Sequence, residues 1–155
     1  MEKEFVDIIR ETVSMPEFIK MKKVRYHING NLYDHSIKVA YFCYKHHKRF
    51  GLRCDIRDLV LGALLHDYYL YDPHEKGKKH SRHWIEHPKK ALKNAKIKYP
   101  NLSKMQQDMI ENHMFPLTIK PPKTVAGWLV CFYDKVAAVD DRMFGKHKRI
   151  YKKGL

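Results

Sequence analysis

The chain has 155 residues, 44% hydrophobic and 31% charged, a balance that fits a folded globular protein and excludes a disordered or membrane-embedded one. Its 31 Lys and Arg against 17 Asp and Glu give a formal net charge of +14, so its field attracts anions: nucleotides, polyphosphates, nucleic acid or an acidic surface. No apolar run reaches the roughly 18 residues of a membrane span, and the opening Met1-Glu2-Lys3-Glu4-Phe5 lacks the basic-then-apolar plan of a signal peptide, so the expected address is the cytoplasm.

Phe5, Ile8, Ile9, Thr12 and Val13 recur at helical spacing over residues 2 to 14, and Pro16 ends this first amphipathic helix. An apolar and basic stretch from Phe18 to Tyr26 leads to Asn29-Gly30-Asn31, turn residues suited to start a helix. The second helix runs from Leu32 to Phe50, with His35 on the inward stripe of Leu32, Val39, Ala40 and Cys43, and Gly51 stops it. Asp55 caps a third helix, which runs through His66-Asp67 until Tyr68-Tyr69-Leu70-Tyr71-Asp72-Pro73 breaks the pattern. Residues 72 to 88 are charged and histidine-rich, with only Trp84 and Ile85 suited to a core, and read as a loop walling a site.

Pro88 fits the first turn of a fourth helix that carries Ala91, Leu92, Ala95 and Ile97 and ends before Pro100. Ser103 with Gln106 and Gln107 makes a capping start for the next, which holds Met105, Met109 and Ile110 and leads to His113. Pro116, Pro121 and Pro122 bound a linker, a long last helix spans about Thr124 to Phe144 with Gly145 as its stop, and the basic run of residues 146 to 153 is solvated or touches anions. No stretch reads as a strand. The expectation is an all-α fold and a single domain over residues 1–155, with a core at 30–142 and a basic tail at 146–155. The three cysteines, Cys43, Cys54 and Cys131, lack any Cys-x-x-Cys spacing and read as reduced thiols, Cys43 and Cys131 as core filler and Cys54 near a helix start.

The chemistry gathers at His66 and Asp67. An apolar helix, Leu59 to Leu65, ends in these two residues, with Gly62, Ala63 and Leu59 one and two turns back, so the imidazole faces inward. Burying Asp67 beside it costs several kcal/mol, roughly, unless a cation or donors compensate. Asp134 poses the same problem, because Val130, Ala137 and Ala138 at i−4, i+3 and i+4 mark its side of the last helix as inward. By position the candidate ligands are His35, His66, Asp67, His87, His113 and Asp134. His83 precedes His87 by four residues and shares its face if that stretch is helical. His46, His47, His74, His80 and His147 read as exposed or locally bonded.

This ordering resembles the HD superfamily of metal-dependent phosphohydrolases. Tyr33-Asp34-His35-Ser36 looks like its first motif, Leu64-Leu65-His66-Asp67 its second, and Tyr133-Asp134-Lys135-Val136-Ala137-Ala138 its last, within a match over residues 30 to 142. The resemblance implies a helical bundle and a divalent metal. His87-Pro88 and Glu111-Asn112-His113 are similar to the two-metal branch, which includes the HD-type dinucleoside polyphosphate hydrolases and the HD-GYP phosphodiesterases. Carried over, Asp67 bridges two ions, His35, His66 and Asp134 hold the first, and His87 and His113 the second. Such mixed N and O ligation suits Fe or Mn, with Zn, Co, Ni and Mg behind them. Two departures stand out: many two-metal relatives place a lysine three residues after the motif's Asp, where this chain has Leu70, and the Gly-Tyr-Pro signature of the cyclic dinucleotide enzymes is absent. A phosphate contact made by that lysine would fall to Lys76, Lys78, Lys135 or Arg142, and His83 joins them as a candidate substrate contact.

The implied function is hydrolysis of a phosphate ester or anhydride, in a nucleotide or another small phosphorylated molecule, by metal-activated water with Asp67 beside the nucleophile. Lys135 is a candidate to steady the charged transition state, against the plain reading of a surface lysine turned about 100 degrees from Asp134. A second reading is a metal-stabilised regulatory module that binds nucleotide or nucleic acid without turnover; ten tyrosines make base stacking available, but no nucleic-acid motif accompanies them. A di-iron oxygenase is a third.

Overall fold

α1 (Lys3–Ser14) lays Phe5, Ile9, Thr12 and Val13 on one buried face, and Met15 in extended conformation hands over to Pro16, which opens α2 (Pro16–Lys20). The proline ring is preset for the first helical turn, where its missing N–H costs nothing. The computed structural model describes residues 2–26, 30–71 and 83–144, with side chains to residue 141. After a single 3-10 turn at Met21–Lys23, two short antiparallel strands, β1 (Arg25–Tyr26) and β2 (Gly30–Asn31), pair Arg25 with Asn31 and Tyr26 with Gly30. This ladder corrects the strand-free expectation, since two residues are too few to show an alternating pattern. Glycine is needed at position 30, where a Cβ would meet the Tyr26 carbonyl at 2.9 Å.

Asn31 begins α3 (Leu32–Phe50) by accepting the Asp34 N–H at 2.8 Å, and Gly51 ends it at φ 64°, a left-handed conformation that glycine adopts without strain. Asp55 accepts the N–H groups of Arg57 and Asp58 to start α4 (Ile56–Leu65). This helix stops at Leu65 with His66 as its C-cap, two residues earlier than expected, so the His-Asp pair sits in the turn that closes it.

α5 (His83–Lys98) differs most from the sequence reading. It begins five residues before Pro88, which lies inside the helix. A proline there removes one backbone bond, to the carbonyl of Trp84, and that residue is open to solvent at 52% exposure. Trp84 and Ile85, expected in the core, face outward, while His87, Pro88 and Ala91 take the inner side. α6 (Lys104–Glu111) opens with a full capping box: Ser103 Oγ accepts the Gln106 N–H and Gln106 Oε1 accepts the Ser103 N–H. α7 (Val125–Phe144) closes the described fold.

α3 packs on α4 and α7, and α6 on α4, α5 and α7, around fully buried Leu32, Ile37, Leu59, Leu65, Met109 and Val130. Gly62 lets α4 approach α6 closely, for a Cβ there would lie 2.7 Å from Met109 Cε. Asp108 joins α6 to the start of α7: its carboxylate accepts the N–H groups of Lys123 and Thr124, the Thr124 hydroxyl and the Asn112 amide. Among the described residues no helix is long and apolar enough to cross a membrane.

Candidate metal centre

Five helices and the turns at their ends converge on one buried group of imidazoles and carboxylates. α3 supplies His35 one turn into the helix, the end of α4 supplies His66 and Asp67, α5 supplies His87, the turn after α6 supplies His113, and α7 supplies Asp134; all six are buried. The position of each imidazole follows from its Nδ1 side. A carbonyl oxygen only accepts, so Nδ1–H of His66 donates to Ala63 at 2.7 Å, that of His87 to His83 at 2.9 Å and that of His113 to Ile110 at 2.8 Å. In its neutral form each ring therefore presents the lone pair of Nε2 inward, the arrangement in which a histidine serves as a metal ligand.

Two groups result. In one, ligand atoms of His35, His66, Asp67 and Asp134 lie within 4.8 Å of one another; in the other, those of Asp67, His87 and His113 do. Asp67 belongs to both. Its Oδ2 lies 3.5 Å from His66 Nε2, while its Oδ1 lies 3.2 Å from His87 Nε2 and 3.4 Å from His113 Nε2. The HD domain family model matches residues 32–139, from the start of α3 to the last turns of α7. The chain belongs to the HD-domain family. No curated protein and no solved structure matches it.

The residues of this HD domain fit a divalent cation on an observation of their own. Among the described residues, His66 Nε2 and Asp67 Oδ1 are buried with no hydrogen-bond partner. A buried polar atom left unpaired costs roughly 1–3 kcal/mol, and more when charged. With neutral rings the short contacts at Asp67 Oδ1 do not relieve it, because the imidazole nitrogens facing it are then lone-pair acceptors. A cation in each group would satisfy these atoms.

Charges in the site are matched in pairs. Burial works against protonation of His35, but hydrogen bonds to Asp134 at 3.0 Å and to Asp141 at 3.2 Å outweigh it and push the imidazole up to about 9. Burial alone raises Asp67 and Asp134; the imidazoles of His66 and His87 around Asp67, and of His35 and His66 around Asp134, reverse this and hold both well below the usual carboxylate range. Burial lowers His87 too, but the Asp67 carboxylate carries it above its ordinary value, whereas burial keeps His113 below its own.

Three further residues of this site carry no signal strong enough to single them out in the sequence. Asp141 accepts from His35 Nδ1 and forms an ion pair with Lys38, whose ammonium also donates to Asp140 at 2.9 Å. It follows Asp134 by seven residues, two helical turns on the same face, which is the one clue that could have marked it. Tyr26 stacks on His35 with ring centroids 3.9 Å apart, carried there by the small sheet. Burial first, then the charges of Asp134 and Asp67, push its phenol well above its ordinary value, so it stays neutral.

His83 lies on α5 as helical spacing requires, stacked on His87 at 4.8 Å and hydrogen-bonded through Nδ1 to the Tyr71 hydroxyl at 2.8 Å. Tyr69 lies edge-on to both histidines at 5.0 and 5.4 Å. Leu70, where many two-metal relatives carry lysine, stands between the tyrosines at φ 57°, a strained left-handed conformation for a non-glycine residue. Lys135 sends its ammonium to the carbonyls of Cys131 at 2.9 Å and His113 at 3.1 Å, so its charge rests on the backbone of the His113 turn. His46 bonds the Tyr133 hydroxyl and His47 the Cys54 carbonyl, as locally bonded histidines should. Lys76, Lys78, His74, His80, His147 and the Arg142 side chain lie outside the described residues.

Proposed function

We propose that this HD domain is a phosphohydrolase that takes two divalent ions, Fe or Mn first among them, and hydrolyses a phosphate ester or anhydride of a nucleotide or another small phosphorylated molecule. The observation that carries the reading is Asp67, with one oxygen turned to His66 and the other to His87 and His113. A carboxylate so divided suits a bridge between two ions, with His35, His66 and Asp134 on one side and His87 and His113 on the other. Ions held there would activate water at neutral pH and neutralise charge on phosphate oxygens.

The chain's own residues prepare that chemistry. Backbone carbonyls fix the His66, His87 and His113 rings in advance, so no reorientation is needed when substrate arrives. Tyr69, Tyr71 and His83 form an aromatic wall beside the second group, suited to hold the rest of a phosphorylated substrate. The surplus of positive charge favours the approach of an anion.

The test combines metal analysis of protein purified without chelators, reloading with Mn or Fe, and phosphate release from a panel of nucleoside mono-, di- and triphosphates, dinucleoside polyphosphates and small phosphomonoesters. Turnover that is lost together with metal in Asp67→Asn supports the reading. Full metal content with no release from any member of the panel would replace it with the regulatory-module reading.

A further inference from the structure

We infer that α7 presents its outer face to a second copy of the same chain. Val125, Trp128, Phe132, Val136 and Val139 are 70%, 47%, 59%, 37% and 54% exposed. At 100 degrees per residue they fall within an arc of about 80 degrees, an unbroken apolar stripe along the helix. Asp134 and the buried Val130 and Ala137 lie on the other side. A soluble monomer rarely leaves so continuous an apolar stripe open to water.

The occupant follows from the spacing. Measured from Phe132, the stripe sits at −7, −4, 0, +4 and +7, and is therefore symmetric about its centre. Two copies of α7 laid antiparallel through a two-fold axis at Phe132 bring Val125 of one against Val139 of the other, and Trp128 against Val136. Trp128 meets the smaller Val136, and the same patch serves both copies, as a two-fold interface requires. The Trp128 ring is already steadied against Phe115 at 5.4 Å.

Charge selects the same face. The whole chain carries +14, so two copies repel over most of their surfaces, but none of the five residues of the stripe is charged. With aromatic side chains at roughly 150–250 Å² each, the exposed parts of the five residues amount to about 400–500 Å² per copy. Flanking side-chain stems bring the total over both copies to around 1,000 Å², the lower bound for a specific interface. The metal centres then lie on the far sides of the pair.

Sedimentation of the intact chain from micromolar to hundred-micromolar concentration at about 150 mM salt should give a species of twice 18.6 kDa. Phe132→Glu places two carboxylates against each other on the axis and should yield a monomer with an unchanged far-ultraviolet spectrum. Val125→Glu and Val139→Lys, at sites with 70% and 54% exposure that the core does not use, should each weaken association by about tenfold. Combined in one chain, they should restore it, because antiparallel pairing sets the carboxylate introduced at position 125 against the ammonium introduced at position 139 of the other copy. These two positions carry the test if the Phe132 variant does not fold. A wild-type monomer at every concentration, a dimer that survives Phe132→Glu, or a double variant weaker than either single one overturns the inference; so does a monomer that uses this face for a different macromolecule.

Discussion

The Nε2 atoms of His87 and His113 stand 3.1 Å apart, each ring turned toward the other by a backbone carbonyl behind it. When both rings are neutral, both nitrogens carry lone pairs, and two acceptors at that distance do not bond. A cation in contact with both resolves the repulsion. His87→Ala and His113→Ala should therefore lower metal content from two ions per chain toward one and leave the helical spectrum unchanged, because His35, His66, Asp67 and Asp134 still tie α3, α4 and α7 together. Asp67→Asn should lower both. Stoichiometry by elemental analysis checks this, and wild-type protein that never exceeds one ion after reloading with Mn or Fe would contradict it.

Asp141 acts on the centre through His35. Its carboxylate takes the Nδ1 proton at 3.2 Å and is itself held by Lys38, so it sets the ring's orientation and makes the other nitrogen a better donor to metal. Asp141→Ala should weaken the first ion by about 10–100-fold, measured by competition with a chelator of known affinity. The second ion should bind as before, because His87 and His113 have their own carbonyl supports. Equal weakening of both ions would mean that the variant had disturbed α7 as a whole.

The helical frame was legible in the sequence because its signals are local. Asn31, Asp55, Ser103 and Gly51 mark helix ends by what a single side chain or a single left-handed residue does to the backbone. The inward positions of His35, His66 and Asp134 followed from the apolar residues one turn away. What escaped depends on partners distant in sequence or on very short elements. The sheet of β1 and β2 is too brief to alternate. Pro88 reads as a helix start because proline is at home there, yet the helix had already begun at His83, and the shift of frame turned Trp84 and Ile85 outward. Asp141 gains its role only when α3 and α7 meet, and Lys135, one residue from a candidate ligand, spends its charge on the His113 carbonyl, a contact no spacing rule foresees.

Asp108 should prove to be a stability residue with a pH signature. Burial would raise its pKa, but hydrogen bonds from Thr124 and Asn112, then from the N–H groups of Lys123 and Thr124, lower it. Its folded pKa therefore lies below the unfolded value of about 3.9. The stability it contributes is present above that value and is lost as pH falls through the folded pKa. Asp108→Ala leaves buried N–H groups without acceptors and should cost about 1–3 kcal/mol at neutral pH, with a smaller difference from wild type in acid. Urea unfolding at neutral pH and near pH 3 measures both. Gly127→Ala should disturb the same junction, because its Cβ would sit 2.5 Å from Asp108 Oδ2.

The surplus of fourteen positive charges should act on substrate capture more than on chemistry. Encounter between a basic surface and a polyanion is a long-range event, screened once the Debye length falls below the separation of the charges. Inside the centre the charges are buried, and salt reaches them far less. As monovalent salt rises from about 50 to 300 mM, a range over which the Debye length shrinks by more than half, kcat/KM should therefore fall while kcat changes little. Lys76, Lys78, Lys79 and Arg82 stand in the histidine-rich stretch between α4 and α5, whose two ends supply Asp67 and His87. Neutralising that group together should reproduce the loss of kcat/KM at low salt and flatten its dependence on added salt. If kcat/KM does not respond to salt in the wild-type protein, the charge serves solubility or another partner, and the four basic residues have no part in drawing the substrate in.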